Sequence, residues 1–109
     1  MVGMEELLSK FEKLIAEGDR MFSRGDYSGA YESYLNALYS LAAMVMYRST
    51  GMLVPPERLP GFLGGFPELE DAIRRYSGGS ALGEEKVRSL REELERLRGG
   101  MMSLPSSER

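Results

Sequence analysis

The chain of 109 residues contains no cysteine and no histidine. The first absence removes disulfides, thiolate metal sites and cysteine nucleophiles together. The second removes the usual proton shuttle at neutral pH and the commonest ligand for zinc, copper or non-haem iron. A Ser-His-Asp site, a zinc site or a histidine-based nuclease therefore cannot be built from this chain alone. Positive charge is also limited. Fourteen basic residues stand against 17 acidic ones, for a net charge of -3, and no basic run appears. A broad nucleic-acid surface needs clustered positive charge, so nucleic acid is not the expected partner. Eleven of the 14 basic residues are arginine, which fits planar bidentate contacts but also a simple composition bias, the reading adopted here. Long hydrophobic runs are missing too: the most apolar stretch, residues 37–47, is too short to span a bilayer. The first residues combine early acidic side chains with an amphipathic period, unlike a signal peptide. The expectation is a soluble, cytoplasmic protein without membrane contact. Its length suits one domain that buries roughly 60–70% of its unfolded surface.

What is present reads as helix. From Met4 to Phe22, apolar residues fall at Met4, Leu7, Leu8, Phe11, Leu14, Ile15, Met21 and Phe22, the stripe of an amphipathic helix. Gly18 sits on that stripe where a large side chain is expected, which predicts close approach of another backbone. Gly25 supplies a residue that can turn left-handed past a helix end, and Asp26 can accept from the amides of the next first turn. A second helix follows from about Tyr27 to about Arg48. It is apolar nearly all round in its second half, so it should be buried between neighbours within a bundle or across an oligomer interface.

Residues 51–66 hold three prolines and four glycines together with Leu53, Val54, Leu59, Phe62, Leu63 and Phe66. They can form neither a regular helix nor a central strand, yet their content is that of a core element. Pro67 then suits the first position of a short helix with Leu69, Ala72, Ile73 and Tyr76 on a narrow stripe. Ser80 or Gly83 opens a fourth helix with Val87, Leu90, Leu94 and Leu97 at heptad-like spacing. Its other faces carry pairs such as Glu84 with Arg88 and Glu92 with Arg96 at i, i+4. Gly99 and Gly100 are expected to end it and residues 101–109 to form a flexible tail, leaving 1–100 as a single helical-bundle domain. The fold class is thus all-α, an antiparallel bundle of four main helices with a long apolar loop between the second and third.

Without histidine, chemistry would fall to the carboxylates. Glu68 and Asp71 lie at i, i+3, and Asp19 and Asp26 flank the hairpin turn. The Glu-x-x-His pairs of ferritin-like sites are missing, and these groups read as surface and capping residues. No catalytic residue, metal or cofactor is expected. Five of the six tyrosines are on the second helix. They make either a stacking surface for a base or peptide or, the reading preferred, a packed core with hydroxyls at its rim. Arg74 and Arg75 beside Tyr76 are the candidate contacts for a phosphate, although adjacent helical residues point about 100° apart.

Two resemblances follow. Gly18, Gly25-Asp26-Tyr27, Ala30, Tyr34 and Ala37 look like one tetratricopeptide repeat, in which small residues let paired helices touch. Here the second helix runs on past Ala42 and no second repeat follows. A broader resemblance, over about residues 5–98, is to HEPN domains (higher eukaryotes and prokaryotes nucleotide-binding). It rests on the amphipathic first helix, Gly25-Asp26-Tyr27, the small and aromatic residues Ala30, Tyr34, Ala37, Tyr39 and Ala42, and then Gly51 and Pro55 before a short helix and a longer one. That resemblance implies a helical bundle that often dimerises. Some members are ribonucleases, and others partner a small nucleotidyltransferase. The ribonuclease type uses an arginine followed closely by histidine, so a chain without histidine resembles the non-catalytic type.

The functional expectation is a non-enzymatic interaction module, a homodimer or the partner of a nucleotidyltransferase-like protein. Tyr31, Tyr34, Tyr39, Met46, Leu53, Leu59, Phe62 and Phe66 are its candidate contacts. The apolar loop either folds over the end of the bundle or offers a second subunit its interface. The alternatives are a nucleotide- or RNA-binding domain using Tyr31, Tyr34, Arg74 and Arg75, and an isolated tetratricopeptide-like adaptor for a peptide.

Overall fold

The computed structural model describes residues 4–51, 67–77 and 83–102. The loop residues Leu53, Leu59, Phe62 and Phe66 and residues 103–109 lie outside them. Four helices make up the described chain: α1 (Met4–Ser23), α2 (Tyr27–Thr50), α3 (Pro67–Ser77) and α4 (Glu84–Met102). The protein is an all-α helical bundle. No helix among the described residues is long and apolar enough to cross a membrane.

The turn between α1 and α2 is built from local chemistry. Gly25 takes φ 81°, the left-handed region that costs a residue without Cβ nothing. Its N–H donates to the Phe22 carbonyl at 3.0 Å, and the Asp26 N–H donates to the Met21 carbonyl at 2.8 Å. This pair of bonds closes the helix end as a Schellman motif. Asp26 then caps α2, its Oδ1 accepting from the Gly29 N–H at 3.0 Å, which satisfies one of the four amides a helix start leaves open.

Helix directions follow from the side chains that meet. Gly18 faces Tyr34 and the Phe22 ring lies 5.2 Å from that of Tyr27, so α1 and α2 are antiparallel. Asp19 and Glu12 of α1 reach Arg91 and Arg98 of α4, so those two are antiparallel as well. Tyr76 and Glu68 of α3 meet Ser89 and Arg96 of α4. The four described helices therefore run up, down, up, down, with α2 and α4 parallel to each other.

α2 packs against all three other helices. Ala30, Tyr31, Tyr34, Ala37, Leu38, Leu41, Ala42, Met44, Val45 and Met46 are all buried along it. That accounts for its apolar character on nearly every side. The remaining core comes from Phe11 and Ile15 of α1, Leu69, Ala72, Ile73 and Tyr76 of α3, and Val87, Leu90, Leu94 and Leu97 of α4. Each fully buried leucine of this set contributes about 1.5–3 kcal/mol relative to exposure.

Two boundaries differ from those read in the sequence, while the start of α4 is the Gly83 opening of the two that were read. α2 continues two residues beyond Arg48, to Thr50, and stops at Gly51, which takes φ 78°. α4 opens at Glu84, with the Gly83 carbonyl accepting from the Lys86 and Val87 N–H groups. It does not stop at Gly99 and Gly100 but runs to Met102, which brings the first two residues of the expected tail into the helix. Neither glycine takes a positive φ. A glycine inside a helix costs about 1 kcal/mol against alanine but ends it only when it turns left-handed.

Candidate functional site

One polar cluster lies where α1, α2 and α4 meet. Gly18 is buried, and a Cβ there would stand 2.4 Å from Cε1 of Tyr34. The missing side chain is the space the Tyr34 ring fills. One residue on, the Asp19 carboxylate accepts the Tyr34 hydroxyl. It also accepts from Nε of Arg91 at 3.0 Å and from a terminal guanidinium nitrogen at 3.2 Å. Arg91 turns its other nitrogen to Glu95 at 2.5 Å. A single carboxylate thus ties three helices together.

The electrostatics suit a clamp between the helices. Burial pushes the Asp19 carboxyl up, but the hydrogen bonds from Arg91 and Tyr34 outweigh it and hold the group below its ordinary value. Burial, then the hydrogen bond to Asp19, pushes the Tyr34 hydroxyl well above a free phenol. The bond to Asp19 likewise raises the Arg91 guanidinium. At neutral pH the carboxylate is ionised, the phenol holds its proton and the guanidinium is charged. None of the three exchanges a proton in that range, as a general acid or base must.

A second pair of contacts joins α3 to α2 and to α4. The Tyr31 hydroxyl donates to the Tyr76 carbonyl at 2.5 Å, and the Tyr76 and Ser89 hydroxyls are 2.6 Å apart. Burial, with Tyr76 and Tyr39 nearby, raises the Tyr31 hydroxyl. The Tyr76 ring also receives the Arg75 guanidinium at 5.4 Å and the Lys86 ammonium at 5.8 Å. Around the rim, Arg98 meets Glu12 at 2.8 Å and Arg88 lies 5.3 Å from the Phe22 ring.

Of the residues singled out from the sequence, Tyr31, Tyr34 and Met46 are in the core, and Tyr39 is half-buried on α2. The two core tyrosines keep their rings inside; the Tyr31 hydroxyl bonds within the core, and that of Tyr34 reaches Asp19 at its edge. Arg74 pairs with Glu70 at 3.4 Å, while Arg75 pairs with Asp71 at 2.7 Å and reaches Glu93 at 3.9 Å. Both arginines therefore face carboxylates of the chain itself. Glu84 and Arg88 pair as spacing suggests, whereas Arg96 turns away from Glu92 to Glu93 and Glu68. Asp26 is the cap it was read to be, but Asp19 is not a capping residue. Its role in the network was missed, and so was that of Arg91. The available signal was position: Asp19 falls four residues after Ile15 and three before Phe22, on the border of the apolar stripe.

Among the described residues no group of three or more Asp or Glu side chains is placed to hold a metal ion. No family model, curated protein or solved structure matches the chain.

Proposed function

We propose that the chain is a non-enzymatic protein-interaction module of HEPN-like type that works as a homodimer, with the partly exposed edge of α2, where Leu35 and Tyr39 border the core, as part of its contact surface. The observation that carries this reading is a line on that helix. Leu35, Tyr39, Ala43 and Tyr47 recur every four residues and are all half-buried, and Leu35 and Tyr39 pack against the edge of the core. On the preceding turns the same side is polar and exposed, with Ser28 and Glu32, and exposed Asn36 adjoins Leu35. An apolar surface bounded by polar residues is the usual form of a protein contact.

The state of the other side chains supports this over the nucleotide-binding alternative. Tyr31 and Tyr34 are packed in the core, and Arg74 and Arg75 are paired with carboxylates. A stacking site for a base would need the rings in solvent, and a phosphate would have to displace the carboxylates. The family-level part of the proposal rests on the resemblance in sequence alone.

Light scattering behind a sizing column, over a range of concentrations, tests the proposal. The expected result is twice the chain mass for the wild type. Tyr39→Glu should give the single chain mass with an unchanged helical circular-dichroism signal. A wild type that stays monomeric at every concentration, and binds nucleotide or short RNA saturably and less tightly in salt, would overturn the reading.

A further inference from the structure

We draw no further inference here: the strongest candidate, the half-buried stripe of Leu7, Leu14 and Met21 along α1, is an apolar face for which nothing in the structure shows what covers it.

Discussion

The ring of Tyr34 occupies the space that a side chain at Gly18 would take, and its hydroxyl donates to Asp19, the very next residue. The ring is held at both ends. Its edge rests on the α1 backbone and its tip is bonded to a carboxylate that Arg91 also holds. A ring fixed in this way cannot swing aside cheaply when the space beneath it is filled.

Gly18→Ala should therefore destabilise the protein, although alanine is the better helix former. Overpacking a filled core costs about 1–3 kcal/mol, against a helix-propensity gain of about 1 kcal/mol. The melting temperature should fall by a few degrees, and shortening the ring with Tyr34→Leu should reduce the penalty for alanine. Equal stability of the alanine variant and the wild type would mean that the ring is not locked.

The pair of Asp19 and Arg91 should show a measurable coupling. Their side chains are 45% and 30% exposed, so solvent screens the attraction. A double-mutant cycle with Asp19→Asn and Arg91→Met should give about 0.5–1 kcal/mol, falling as salt is added. The folded carboxyl lies below its ordinary value of 3.8, so the unfolded state binds the proton more readily. The stabilisation is thus complete above that value and is lost as pH falls through the folded one. Asp19→Asn should remove that part of the acid sensitivity. An unchanged acid limb in this variant would separate Asp19 from it.

Alkaline titration reads the opposite sign. Tyr31 and Tyr34 have hydroxyls raised above the ordinary 10.0. Their contribution is complete below that value and is lost as pH rises through the folded ones. In a spectrophotometric titration at least two of the six tyrosines should ionise only as the helical signal disappears. Six reversible ionisations near the ordinary value, with the helices intact, would contradict the hydrogen bonds to Asp19 and to the Tyr76 carbonyl.

Leu94→Ala should cost about 2–5 kcal/mol, the range for emptying a packed leucine site. Leu94 is 0% exposed, on a helix whose other faces are charged. That loss is a large part of the 5–15 kcal/mol typical of a whole domain. Glu92→Ala on the exposed side of the same helix should stay within about 0.5 kcal/mol. Similar effects of the two substitutions in chemical denaturation would show that α4 does not dock by its leucine face.

Local chemistry explains why so much of the bundle can be read in the sequence. Gly25 and Asp26 make their turn with partners no more than five positions away, so residue types and spacing settle it. The stripes of α1 and α4 follow from helical periodicity, and the encircling apolar residues of α2 place it at the centre. Gly18 signalled close packing by its position on a stripe of large side chains, but what fills the space is the ring of Tyr34 and not, as that position suggests, another backbone.

Packing between helices decided the rest. Asp19 meets Arg91 across 72 positions and Tyr31 meets Tyr76 across 45, and both pairings depend on how far each helix is rotated and shifted against its neighbour. Arg96 turns to Glu68 on α3 and to Glu93 on its own helix, not to Glu92, because its surroundings include a second helix that periodicity along α4 does not contain. The tyrosines show the same division. The sequence placed five of the six on one helix, but only the approach of α1 and α3 put the rings of Tyr31 and Tyr34 in the core while leaving Tyr39 half-buried. A helix's own residues set which of its sides are apolar, and the bundle sets which of those sides are covered.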